Sequence, residues 1–304
     1  MPHSTFGQGG QPGILIMHVF THPIAHRFVF SALFVGLALV VSAPALAADT
    51  PPLRALLILG GCCHDYATQK DLLEAGIEAR ANVEVDVIFS DDKSTKPPLS
   101  IYGNAKYADG YDVVIHDECA ADIKDLAVVE GVLAPHREGI PAVNLHCAMH
   151  SYRTAPDVKV ETKPGTADSL WFDYLGVQSA GHGPQKPVAI VYTDKNHPIT
   201  KKLADWTTIK EELYNNIAVR PGAKVIARGS QEPNDKPNFT EAAVAWTNEY
   251  GDKKTRVFST TIGHNNETVG DERYLDLVTN GVLWACGKLL DTGIAEDGYG
   301  PIAR

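Results

Sequence analysis

Four apolar runs in this chain each break abruptly into a turn bearing histidine or carboxylate, and this pattern restricts the fold more than any other feature. Leu56-Leu57-Ile58-Leu59 passes into Gly60-Gly61-Cys62-Cys63-His64-Asp65, and Val113-Val114-Ile115 into His116-Asp117-Glu118. Pro141-Ala142-Val143-Asn144-Leu145 passes into His146-Cys147-Ala148-Met149-His150, and the run from Val257 to Ile262 ends in Gly263-His264. Short apolar runs of this kind suit strands covered on both faces of a parallel sheet. Open α/β sheets bind their ligands outside the carboxyl ends of such strands. Four strand ends of this character predict one pocket.

The first 47 residues are expected to lie outside that globule. Arg27 precedes an apolar run from Phe28 to Val41, and small residues follow from Ser42 to Ala48. A basic residue, a short apolar core and a small-x-small ending describe a secretory signal peptide, cut after Ala47. A membrane anchor is the alternative, but the run is short for a span. Residues 48–290 are expected to form a single domain, with 291–304 as a loose C-terminal tail. Without residues 1–47 the chain holds 26 basic and 37 acidic residues, a balance of −11. That balance, with no basic stripe, argues against a nucleic-acid or anionic-membrane partner. The expectation is an exported protein, periplasmic or extracellular, with no stable membrane insertion after cleavage; a homo-oligomer is left open. Five cysteines are an odd set without metal-ribbon spacing, and the adjacent Cys62 and Cys63 are not expected to bridge each other.

Strand-like and helix-like segments alternate through the first half. Leu53 to Leu59 reads as a strand, Lys70 to Arg80 as a helix through Leu72, Leu73 and Ile77, and Val83 to Phe89 as a second strand. Asp112 to Ile115 and Pro141 to Leu145 flank a helix over Ile123 to Arg137, so a doubly wound sheet is predicted. Ser151 to Gly183 is irregular and reads as a long loop or lid, where Trp171 and Tyr174 suit stacking on a sugar. Strands are expected at Val188 to Tyr192, Val225 to Arg228, Ala242 to Trp246 and Arg256 to Ile262, and a closing helix over Asp271 to Leu290.

The motifs Gly60-Gly61 with His64-Asp65, Asn144-Leu145-His146, Gly181-His182-Gly183 and Asn196-His197-Pro198-Ile199-Thr200 occur in order. Glu212-Leu213-Tyr214, Gly263-His264 and Leu283-Trp284-Ala285-Cys286-Gly287 follow them. In this series the chain resembles the ThuA-like (trehalose utilisation) family, from about Leu53 to Leu289. The resemblance implies a flavodoxin-like, doubly wound, mostly parallel α/β sheet of the class I glutamine amidotransferase-like kind, and a role in carbohydrate metabolism. Amidotransferases carry a nucleophilic Cys after the fourth strand; here His146 falls at that place and Cys147 one residue later. His264 resembles the late His of that site, with Glu267 the nearest carboxylate. Glutamine amidotransfer is therefore not expected.

His64, His146, His182 and His264 come from four segments. One reading makes His64, Asp65, His146 and His264 ligands of a divalent metal, zinc first, that activates water. The other is metal-free acid–base chemistry by His146 and His264 with Glu118. The plainer reading leaves each as a loop histidine bonded to backbone, and no H-E-x-x-H motif is present to favour metal. His150 shares an H-x-x-x-H spacing with His146 and serves equally as ligand or core residue. His182, Glu212 and Tyr214 suit contacts with a small carbohydrate substrate, against the plainer reading of an ordinary solvated helix end. Hydrolysis or elimination on a disaccharide, glycoside or keto-sugar derivative is the expected reaction. The rivals are a non-catalytic sugar-binding or complex-forming module and a thiol enzyme using Cys147.

Overall fold

The computed structural model describes residues 50–231 and 241–302. The expected signal peptide lies outside the described residues. Among the described residues no helix is long and apolar enough to cross a membrane.

The sheet starts from β1 (Leu53–Gly61), buried except at Arg54. It pairs in parallel with β2 (Val83–Ser90) on one side and β3 (Val113–Cys119) on the other. Next come β4 (Ala142–Leu145), parallel to β3, and the late strand β11 (Thr255–Thr260), parallel to β4. The order β2-β1-β3-β4-β11 is the flavodoxin-like arrangement, with its switch point between β1 and β3. Beyond β11 the sheet continues through β10 (Glu241–Tyr250), β9 (Lys224–Ser230), β6 (Ala189–Tyr192) and the short β7 (Trp206–Thr207), each antiparallel to its neighbour. A separate antiparallel ribbon, β5 (Val177–Lys186) with β8 (Glu211–Val219), stands outside the main sheet.

Successive side chains of β1 point to opposite faces. Leu57 and Leu59 pack with α1 (Tyr66–Glu78) and α5 (Glu272–Ala285), through Leu73, Ile77, Val278 and Val282. Leu56 and Ile58 join Val129, Val132 and Leu133 of α2 (Leu126–Arg137) and Trp171 and Tyr174 of α3 (Leu170–Leu175). The doubly wound sheet is thus covered on both sides. The helix α4 (Asn266–Val269) is a single turn after β11.

Three sequence expectations give way here. The segment 151–183 is no open loop: it holds α3 and the start of β5. Trp171 and Tyr174 are core residues, at 1% and 0% exposure, so they are not available to stack on a sugar. Their polar atoms are satisfied inside, Trp171 donating to the Ala148 carbonyl and Tyr174 to Asn144 Oδ1. The closing segment is also anchored. Leu289 bridges Ala295, Lys288 pairs with Glu296, and Asn82 donates to the carbonyls of Thr50 and Gly298.

The α5 face depends on one close approach. A Cβ built on Gly281 would stand 2.2 Å from Cδ1 of Phe258, a fully buried ring on β11. Alanine improves helix propensity by about 1 kcal/mol, while forcing a methyl into a packed core costs about 1–3 kcal/mol. Gly281→Ala is therefore expected to lower the urea unfolding midpoint; an unchanged or raised midpoint would show that α5 can shift freely.

Candidate active site

The site begins at backbone positions that side chains rarely accept. β4 ends at Leu145, and His146 then takes φ +36° as it opens a 3₁₀ turn over His146–His150. Such a conformation costs roughly 1–3 kcal/mol and persists only where its surroundings enforce it. Enforcement comes from His146 Nδ1, 2.6 Å from the Thr261 carbonyl just beyond β11. Across the gap lies Gly263, where a Cβ would fall 2.7 Å from the Tyr274 hydroxyl. The end of β1 is similarly bent: Gly61 and Cys63 have φ +105° and +81°. A Cβ on Gly61 would meet the Cys119 carbonyl at 2.4 Å, so glycine permits β1 and β3 to close together there.

These turns bring three of the predicted histidines into one cluster. Ligand nitrogens of His64, His146 and His264 lie within 4.8 Å of one another. His64 Nε2 is 3.1 Å from His264 Nδ1, and the His64 and His146 rings meet edge-on with centroids 4.8 Å apart. A carbonyl can only accept, so His146 Nδ1 carries hydrogen toward Thr261, and His64 Nδ1 does so toward the Cys62 carbonyl at 3.3 Å. The Nε2 atoms of both rings are thereby left with free lone pairs pointing inward. Burial lowers the pKa of His64 to about 3, with the neighbouring His264 adding to the effect. Burial likewise pushes His146 well below its ordinary value and lowers His264, against the opposing pull of Glu212. All three are neutral imidazoles near pH 7, the form that ligates metal or accepts a proton.

The ribbon supplies the rest. Glu212, on β8, places Oε2 3.6 Å from His146 Nε2 and Oε1 3.4 Å from His264 Nδ1. His182, on β5, reaches the same carboxylate at 3.5 Å and is the exposed member at the mouth. Tyr214 lies buried beneath, its hydroxyl 3.4 Å from His146 Nε2, and burial raises its pKa well above the ordinary value, so it stays a donor. His150 stacks on Tyr214 at 4.3 Å and bonds Ser179 Oγ, which makes it a wall residue of the cavity. A cavity of about 190 Å³ is lined by His64, His182, Glu212 and Tyr214. A larger one, about 590 Å³, lies under the C-terminal segment near Arg80 and Asn280, and no strand-end histidine lines it.

Two sequence candidates are not brought to this cluster. Asp65 caps the start of α1, accepting from Thr68 N and from Asn266 Nδ2 at the surface. Its cap also explains why α1 begins at Tyr66, four residues before the expected start. Glu118 lies fully buried in a separate network, 2.8 Å from His116 Nδ1 and 2.6 Å from the Tyr152 hydroxyl. Glu267 is exposed on α4, and Glu212 stands beside His264 instead. Against expectation, Cys62 and Cys63 form a disulfide, and Cys119 lies 3.4 Å from Cys62.

A flavodoxin-like sheet with a strained elbow after β4 and a late histidine after β11 defines the class I glutamine amidotransferase-like type, here with His146 where the nucleophilic thiol would stand. The chain belongs to the ThuA family, described as trehalose utilisation, whose model matches residues 54–285. A ThuA-like protein from Parabacteroides merdae superposes with a TM-score of 0.57 at 18% identity, covering 78% of this chain and 91% of that one. One from Bacteroides uniformis gives 0.55 at 17%, covering 80% and 95%. No curated protein matches the chain. The family points to a carbohydrate-related role, and by name it is distinct from the glutamine amidotransferases.

Glu211 supports the candidate site from behind, and nothing in the sequence singles it out. Its carboxylate accepts from the backbone N–H of His264 at 2.9 Å and of Glu212 at 3.3 Å, holding both in register. Burial raises its pKa from 4.5 to about 7. The protonated form is favoured by folding, so this stabilisation is complete below about pH 4.5 and is lost as pH rises through about 7. Glu211→Gln, neutral throughout, is expected to gain on the wild type by up to about 3 kcal/mol between pH 4.5 and 8, in metal-free urea unfolding. A constant difference across that range would mean that the carboxyl titrates normally.

Proposed function

We propose that the protein is an exported carbohydrate-processing enzyme that hydrolyses or eliminates on a disaccharide, glycoside or keto-sugar derivative. The chemistry is centred on His64, His146 and His264, with a divalent metal, zinc first, as cofactor. The observation that carries this reading is the convergence of three neutral imidazoles, with the remote nitrogens of His64 and His146 donating to backbone carbonyls. Pinning of the far nitrogen is the usual support of a metal-ligating histidine. Tetrahedral zinc sets ligand nitrogens roughly 3.4 Å apart, so the cluster needs only side-chain adjustment to fit. Bound there, the metal would supply a Lewis acid and an acidified water.

The chain's own residues divide the remaining tasks. Glu212 is placed to take a proton from a hydroxyl or an acidic carbon, since its two oxygens face the cluster and the mouth alike. His182, exposed at the mouth, meets the sugar first, and Tyr214, its hydroxyl 3.4 Å from His146 Nε2, walls the cavity. Export to the periplasm or beyond is supported by the composition of residues 1–47. The acidic balance supports a small neutral or cationic partner rather than nucleic acid.

Metal analysis of the purified protein tests the reading. Near one equivalent of zinc per chain is expected after reconstitution, falling to about a tenth or less in His146→Ala and His264→Ala. Wild-type protein that takes up no metal would overturn the metal assignment. In a screen of disaccharides and keto-sugars, Glu212→Gln is expected to lower turnover by about 10²–10⁴. Metal retained with no turnover on any sugar would make the chain a binding module.

A further inference from the structure

Beside the histidines, and used by none of the chemistry above, four sulfurs gather at the switch point of the sheet. Cys62 and Cys63 follow β1, Cys119 ends β3, and Cys147 sits in the turn after β4. The sulfurs of Cys62, Cys63 and Cys119 lie within 4.8 Å of one another, and Cys147 hydrogen-bonds Cys119. All four line the 190 Å³ cavity, Cys63 from an exposed position. Arg153 lines it too. Its Nε is buried without a hydrogen-bond partner, and its charge acts on Cys147 and Cys119. A partly buried cation with no carboxylate at ion-pair distance among the described residues, Asp122 acting on it only from further off, is costly unless an anionic group answers it.

We infer that Cys62, Cys63 and Cys119, backed by Cys147, form a second, redox-gated site that takes a soft cation such as Cu(I) or Cd²⁺ once the Cys62–Cys63 bond is reduced. A small dithiol supplies the two electrons. The bond breaks, each of its sulfurs gains a proton, and the dithiol closes to its own disulfide. The cation then displaces one proton to solvent from each ligating thiol. Thiolates select soft metals. Metal–sulfur bonds of about 2.3 Å set the sulfurs roughly 4 Å apart, inside the spread found here. A three-thiolate complex of any of these ions is a net anion, and Arg153 is its counter-charge. Such a site distinguishes the two metals the pocket could meet: histidines for one, sulfurs for the other.

The test uses the full chain, oxidised or reduced by dithiothreitol and desalted without air, titrated with Cd²⁺ alone. Reduced protein is expected to develop sulfur-to-cadmium ultraviolet absorption that saturates at one ion per chain, and oxidised protein none. Cys119→Ser and Cys63→Ser should each weaken that band's affinity at least about tenfold. The second variant is at an exposed position and so guards against misfolding of the first. His264→Ala should keep the band, which separates this site from the histidine cluster. Reduced wild type without the band, or with a band that neither cysteine variant alters, would overturn the inference even if zinc still bound the histidines.

Discussion

The hydrogen bond from His146 Nδ1 to the Thr261 carbonyl is the contact on which the site depends. It joins the ends of two adjacent parallel strands, β4 and β11, at a place where the chain holds a side-chain-bearing residue in the left-handed region. It also settles which nitrogen of His146 faces inward. Without it the elbow could relax to an ordinary turn, and the imidazole would swing away from His64 and Glu212. Glu211 serves the opposite wall in the same way, by holding the backbone N–H of His264. Two backbone anchors thus aim two histidines, and the sheet supplies the distance between them.

Such an elbow is built to present one side chain to a ligand at a sheet's carboxyl edge. With histidine in that place the fold keeps the presentation, and the side chain presented is an imidazole rather than a thiol. Cys147 does not recover the thiol's role. One residue further along, it turns inward to a hydrogen bond with Cys119 and stays buried.

Much of the fold was legible because its central strands are covered on both faces and read as unbroken apolar runs. Leu53 to Leu59 and Val113 to Ile115 needed nothing more. The gathering of His64, His146 and His264 was legible for a related reason: parallel strands put all their carboxyl ends on one edge. Residues whose role depends on register were not. Asp117, Glu118 and Glu211 sit next to one another or to other acids in strands, where a one-residue step reverses the direction of the side chain. Only pairing with β1 and β5 decides which face each one meets. Trp171 and Tyr174 looked like lid residues because a six-residue helix is too short to show a period. Asp65 reads equally as a ligand or as a helix N-cap, because a carboxylate just before a helical segment suits both. The Cys62–Cys63 bridge depends on backbone angles no composition reveals.

The C-terminal segment crosses the amino-terminal edge of the sheet, where Asn82 holds Gly298 beside Thr50. The two ends of the described domain are thus neighbours, on the side of β1 opposite to His64. Nine residues of extended strand separate them from the pocket, roughly 30 Å. The two ends of the described domain therefore both lie at the edge of the sheet away from the histidines. A short linker across the gap would also allow the chain to be reopened elsewhere, for instance at the Lys253-Lys254 hairpin.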